Sequence, residues 1–270
     1  MASGSPTTSS DALAQRFLRL REAGHKALIP YITAGYPDRA ATPRILEVLV
    51  EGGADVIELG VPFSDPVADG PTIQRSSQRA LEQGATLAWT LDVLAAFRQR
   101  HDVPVVLFSY LNPILRYGVD AFLDAARSAG ADGVLITDLP VGSDPALEDR
   151  LERAPIALVR LIAPTSPPER AREIARHAQG FLYYIARTGV TGATSQLRAA
   201  LTAEVAALRE ETDVPVAVGF GISTPAQATE VGRVADGVVV GSALIDALDR
   251  GGLAELQALM GALRDALDDR

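Results

Sequence analysis

Short apolar runs recur along the chain, separated by stretches of helical period. They are KALIPYIT (26–33), DVIELG (55–60), PVVLFSY (104–110), GVLITD (133–138), IALVRLI (156–162), FLYYIA (181–186), PVAVGF (215–220) and GVVVG (237–241). Near-continuous apolar character over so few residues predicts strands covered on both faces, as in a parallel sheet. Between them, TPRILEVLVEGG, LAWTLDVLAAFRQRH, DAFLDAARSAG and RAALTAEVAALREE repeat apolar residues at helical spacing, which predicts amphipathic helices. Eight such units in 270 residues favour a closed (β/α)8 TIM barrel over an open doubly wound sheet. An extra amphipathic helix, DALAQRFLRLREAG, is expected from Asp11 to Gly24, ahead of the first strand. Residues 1–9 are small and polar and read as a disordered tail. With no linker or composition break, residues 10–270 form one domain. A weak internal echo accompanies the pattern: GADVIELG, GADGVLITD and VADGVVVGS enter strands at Asp55, Asp132 and Asp236. It suits a repeated unit, and equally the ordinary grammar of a helix-to-strand loop.

Composition narrows the chemistry. The chain has no cysteine, which excludes disulfides, thiol nucleophiles and zinc-thiolate sites. A net charge of −9 and no basic cluster argue against nucleic acid as a partner. No apolar run of about 18 residues and no secretory leader is evident, so neither membrane insertion nor export is expected, and the expected address is the cytoplasm. One lysine, Lys26, stands among 25 lysines and arginines, and the histidines are His25, His101 and His177.

Barrel enzymes carry their chemistry at the C-terminal ends of the strands. His25, Lys26, His101 and His177 all precede strands and fall at the opposite face, which removes histidine triads, Schiff bases and histidine-bound metals from consideration. Carboxylates, hydroxyls and backbone amides remain. Glu58 sits late in the strand Val56-Ile57-Glu58-Leu59, and alternation puts it on the same face as Val56. If that face points inward, desolvation raises its pKa towards neutrality and suits it to proton transfer. The following segment, VPFSDPVADGPTIQ (61–74), is expected to be a stiff, proline-rich loop holding Asp65 and Asp69, and spacing alone does not choose between these two acids. Gly219, Gly221 and Gly241 leave amides unobstructed after the last two strands, and Ser242 is placed to cap the next helix, the usual phosphate cradle of this fold. Glycines there also serve close packing of strand on helix. RTGVTGATSQ (187–196) reads as a lid or as a plain loop.

In order along the chain, LIPYITAGYPD, ADVIELGVPFSDPVADGPTIQ, SYLNPI, DLP, YYIARTGVTGA, GFGIS and GSA resemble the tryptophan synthase alpha-chain family, over Ala27 to Asp268. The resemblance implies a lyase that cleaves indole-3-glycerol phosphate to indole and D-glyceraldehyde 3-phosphate in tryptophan biosynthesis, by carboxylate acid–base chemistry. It implies Glu58 and Asp69 as catalytic groups, with Asp69 on the indole N–H, and Tyr183 in support close to the glutamate. It implies Gly192, Phe220, Gly221, Gly241 and Ser242 about the phosphate, Tyr31 and Tyr110 at the indole pocket, and Arg187 and Thr191 in a closing loop. It further implies a beta-subunit partner in an alpha-beta-beta-alpha heterotetramer, meeting this chain near Asp65, Asn112 and Pro140. No cofactor is expected in this chain, and pyridoxal phosphate is expected in the partner. Ala186 departs from the serine commoner before the loop arginine. Competing readings are a stand-alone indole-releasing lyase, a catalytically silent regulator of the beta chain, and another phosphate-binding barrel, although the last does not account for the aspartate loop.

Overall fold

The structure is a computed structural model that describes residues 9–163, 165–186, 195–219 and 221–269. After α1 (Ser9–Ala23) come β1 (Ala27–Thr33), α2 (Ala41–Glu51), β2 (Ile57–Gly60), α3 (Pro71–Glu82), α4 (Leu87–Arg98) and β3 (Val105–Ser109). The chain continues through α5 (Leu111–Tyr117), α6 (Val119–Ala129), β4 (Gly133–Ile136), α7 (Pro145–Glu152), β5 (Ala157–Ile162) and α8 (Pro168–Arg176). It closes with β6 (Leu182–Ile185), α9 (Ser195–Arg209), β7 (Val216–Gly219), α10 (Pro225–Gly232), β8 (Gly237–Val240) and α11 (Ser242–Asp268). The strands form a closed barrel in chain order, every neighbouring pair parallel, with β8 returning to β1.

Three local expectations change. The first helix begins at Ser9, inside the segment assigned to the tail. The loop expected over 61–74 ends at Gly70, because Pro71 supplies the pre-set φ and missing donor tolerated at a helix start and opens α3. Helix α5 was not anticipated: its seven residues are too short to show a period, and Pro113 sits in the first turn, where a lost N–H costs nothing.

Alternation divides the strands between two cores. Ala27, Ile29, Val56, Val106, Ala157, Val159, Ala217 and Val239 fill the barrel interior, whereas Leu28, Ile32, Ile57, Leu59, Leu107, Val216 and Val218 pack outward under the helices. The N-terminal mouth is plugged by α1. Its Leu13 and Phe17 join the interior cluster, and the Phe17 ring lies 5.6 Å from that of Phe181. Burying each of these side chains contributes roughly 1.5–3 kcal/mol. The plug leaves the other mouth as the open one.

At the plugged end, the sequence echo has a structural counterpart. Asp55 donates its N–H to Leu28 O while its Oδ2 accepts the Leu28 N–H at 2.9 Å. Asp132 makes the same pair of bonds with Val105, and Asp236 with Val216. Gln179, just before β6, does likewise with Leu158, its amide oxygen replacing the carboxylate. Each odd strand is thus stitched at its start to the residue that leads into the next even strand, which satisfies a buried amide that the barrel ladder leaves over.

Candidate active site

At the C-terminal ends of the strands lies a cavity of about 300 Å³, bordered by Glu58, Asp69, Tyr31, Tyr183, Gly241 and Ser242 among others. A larger hollow of about 740 Å³ lies at the plugged end against α1. Size does not make it the chemical site, because several of its polar groups are already engaged: Lys26 Nζ donates to Ala235 O, Arg209 pairs with Asp236 at 2.6 Å and His25 lies 3.0 Å from Asp268. His101 stacks on Phe97 with ring centroids 4.7 Å apart, and His177 lies 3.1 Å from Glu152. The residues set aside by strand position are thus occupied structurally, far from the open mouth.

Glu58 points into the barrel above Val56 and is 1% exposed. Its Oε1 is buried with no hydrogen-bond partner among the described residues. An uncompensated buried carboxylate is costly, so burial drives the Glu58 pKa up from 4.5 to about 8. Asp69 occupies the stiff loop ahead of α3, with its N–H on Pro66 O at 3.0 Å and its carbonyl accepting from Gln74 Nε2 at 2.9 Å. Burial raises its pKa to about 6, opposed by hydrogen bonding from Tyr110. The Tyr110 hydroxyl also accepts the Ala68 N–H at 3.0 Å, tying the loop to the end of β3.

Two tyrosines enter the site over glycines of the neighbouring strand. A Cβ on Gly60 would stand 2.3 Å from Tyr31 Oη, and one on Gly219 would stand 2.3 Å from Tyr183 Oη. Gly60 and Gly219 therefore lie where they do to let the rings pass. Tyr31 also meets Phe108 edge-on, with ring centroids 5.2 Å apart. Burial, reinforced by the acids nearby, raises the pKa of Tyr31 and of Tyr183, so both remain neutral phenols. Tyr184 turns outward and donates to Glu204 on α9 at 2.6 Å.

The far end of the cavity is glycine-rich. Gly221 has φ +79°, a left-handed conformation that a side chain would strain, and Gly241 immediately precedes α11. Ser242 does not cap that helix by its side chain, contrary to the sequence reading. Gly241 takes the cap position, and Ser242 is the first helical residue, presenting a first-turn amide that has no intrahelical acceptor. Of the other expected site residues, Arg187, Thr191, Gly192 and Phe220 lie outside the described residues. Asp65, Asn112 and Pro140 are exposed, away from the cavity lining. Sequence reasoning missed Asp246, a cavity residue from α11 whose Oδ1 accepts from Thr72 at 3.3 Å and Arg75 at 3.4 Å. It also missed Leu161, whose inward position follows from the same alternation that located Glu58.

Comparison with known proteins bears on this site. The family model for the tryptophan synthase alpha chain matches residues 17–266. The chain belongs to the tryptophan synthase alpha-chain family. A tryptophan synthase alpha chain from Geobacter sulfurreducens is 49% identical over 259 residues, covering 94% of this chain and 98% of that protein. One from Laribacter hongkongensis is 48% identical, with the same coverage of 94% and 98%. Among solved structures, tryptophan synthase from M. tuberculosis in its aminoacrylate-bound form superposes with a TM-score of 0.85 at 37% identity, covering 95% and 99% of the two chains. The alpha subunit from Legionella pneumophila gives a TM-score of 0.87 at 36% identity, covering 96% and 99%. The activity of the family is the lyase step that releases indole from indole-3-glycerol phosphate in tryptophan biosynthesis, and an alpha chain implies a beta-subunit partner. The silent-regulator and stand-alone readings are not favoured.

Proposed function

We propose that Glu58 and Asp69 divide the lyase chemistry between them because their surroundings separate their protonation states. At pH 7, Glu58 with a pKa of about 8 holds its proton and Asp69 with a pKa of about 6 has released its own. This is the arrangement acid–base catalysis needs from two like groups. Glu58 delivers its proton to indole C3. Asp69, as a carboxylate, accepts the indole N–H and stabilises the positive charge that develops on the ring. The C3–C3′ bond then breaks as Glu58, now a carboxylate, takes the C3′ hydroxyl proton, which leaves indole and the aldehyde with the proton count unchanged. Tyr183 confines Glu58 from β6, Tyr31 borders the indole end, and Tyr110 supports Asp69 from outside the cavity lining. The amides about Gly221, Gly241 and Ser242, joined by Gly192 and Phe220, hold the phosphate with the help of the α11 dipole, and Arg187 and Thr191 close over it.

The observation that carries this reading is the inward-facing Glu58 carboxyl, whose Oε1 has no partner among the described residues, in the same 300 Å³ cavity as the helix start at Ser242. Asp69→Asn keeps the shape of its loop but loses the charge. It is expected to slow indole release at least 100-fold while leaving affinity for inorganic phosphate or glyceraldehyde 3-phosphate unchanged. Equal weakening of catalysis and of phosphate-end binding would refute the assignment.

For the partner we propose an alpha-beta-beta-alpha complex in the cytoplasm, with pyridoxal phosphate in the beta subunit. The face around Asp65, Asn112 and Pro140 supports this reading, because Val67 beside Asp65 is 84% exposed and Leu115 on α5 is 51% exposed. Such apolar side chains grouped about the open mouth suit a covering chain. Strong activation of indole release by an added beta chain is the expected result, and indifference to it would restore the stand-alone lyase.

A further inference from the structure

A line of buried hydroxyls runs from the cavity wall into α3. Tyr31 Oη lies 3.3 Å from Thr33 Oγ1, Thr33 Oγ1 lies 2.6 Å from Ser76 Oγ, and Ser76 Oγ donates to Ile73 O at 2.9 Å. Thr33 and Ser76 are fully buried, so no bulk water competes for these bonds. Each hydroxyl has one proton to give. Ile73 O can only accept, so the Ser76 proton is committed to it. Ser76 Oγ must then accept from Thr33, and Thr33 Oγ1 in turn must accept from Tyr31. A single direction satisfies all three contacts, and it turns the phenolic proton of Tyr31 away from the cavity.

The neighbours of Tyr31 make this direction matter. Glu58 is its register partner on β2. Asp69, from the loop after β2, and Asp246, from α11, border the same cavity, as does Tyr183 from β6. Tyr110, from the end of β3, also acts on it electrostatically, and Asp69 is the charge Tyr31 feels most. A phenol free to turn would aim its proton into the cavity that Asp69 borders, and would add through space to the stabilisation that Tyr110 already gives the ionised Asp69.

We propose that Thr33 and Ser76 are positioning residues, which lock Tyr31 as a hydrogen-bond acceptor towards the substrate and so keep its phenolic proton from being added to that of Tyr110 at Asp69. This rests on the proposed role of Asp69. Breaking the line at Ser76→Ala frees the Thr33 proton to bond Tyr31 Oη, and the phenol then turns towards Asp69.

The test is the pH profile of kcat/KM for indole release by the full chain in complex with a beta chain. Four proteins are compared: wild type, Ser76→Ala, Tyr31→Phe and the double variant Tyr31→Phe/Ser76→Ala. The acid limb of Ser76→Ala is expected to move down by about half to one pH unit. In the Tyr31→Phe background, where there is no phenolic proton to turn, the same change is expected to move it not at all. A purely structural role for Ser76 would give the same effect in both backgrounds, and that outcome, or an unmoved limb in Ser76→Ala, overturns the proposal. Thr33→Val, which leaves Tyr31 without its acceptor, is the second variant should Ser76→Ala fail to fold, with the same shift expected. If Asp69→Asn retained wild-type cleavage, the role of Asp69 itself would fall, which is distinguishable from failure of the hydroxyl line alone.

Discussion

Removing the ionisable group at Glu58 is expected to stabilise the protein while silencing it, and the pH dependence of that gain carries the information. Glu58 has a pKa of about 8 in the folded chain against an ordinary 4.5. Below pH 4.5, folded and unfolded chains both hold the proton. As pH rises, the unfolded chain gives it up first, so the stability contributed by this group is lost progressively and the loss levels off above pH 8. At about 1.4 kcal/mol per pH unit, the loss accumulated between pH 5 and pH 7 is about 2–3 kcal/mol. Glu58→Gln has no proton to lose. Its melting temperature relative to wild type should therefore climb by about 5–10 °C between pH 5 and pH 7, at a few degrees per kcal/mol for a chain of this size. Any constant cost of seating the amide cancels in that difference, as do the other titrating groups. Thermal melts of both proteins at pH 5, 6, 7 and 8 measure it directly, and indole release by the variant should fall about 100- to 10,000-fold. A melting gap that stays flat across this range would mean that Glu58 is not held neutral in the fold, and the acid–base assignment would lose its basis.

Other expectations follow from the same geometry. The kcat/KM profile should be bell-shaped, falling below about pH 6 as Asp69 takes up a proton and above about pH 8 as Glu58 loses its own; a profile flat from pH 5 to pH 9 would contradict it. Gly60→Ala places a methyl 2.3 Å from Tyr31 Oη, so it should cost about 1–3 kcal/mol in urea unfolding and raise KM by displacing the ring. Phe17→Ala opens a hole in the plugged mouth and should cost about 3–5 kcal/mol, while leaving the kcat of the surviving folded protein close to wild type.

The parts of this molecule legible in its sequence are those set by local period. Eight apolar runs announce eight strands, and the alternation through Val56 and Glu58 orients the key carboxyl because side-chain direction in a strand repeats every two residues. Strand position likewise sorted His25, Lys26, His101 and His177 to the plugged end. What was not legible depends on residues distant in the chain. Ser76 meets Thr33 across 43 positions, and Asp246 meets Thr72 across 174, so no window of sequence contains either contact. Gly60 and Gly219 could be read as strand ends, but not as the clearance for rings on β1 and β6, which depends on the barrel register. The cap at Gly241 was misassigned by one residue, because serine and glycine are both good cap residues and the backbone angles decide between them.

The reciprocal bonds at Asp55, Asp132, Gln179 and Asp236 divide the barrel into four quarters, each an odd strand fastened to its even successor. New chain ends made between β2 and β3, between β4 and β5 or between β6 and β7 would leave every fastening within one covalent piece, while a cut inside a quarter would leave one to re-form between separated ends. Circular permutants and split halves of this chain should thus tolerate breaks at even-to-odd boundaries best, and the boundary between β4 and β5 marks where two complementary half-barrels would be expected to reassemble.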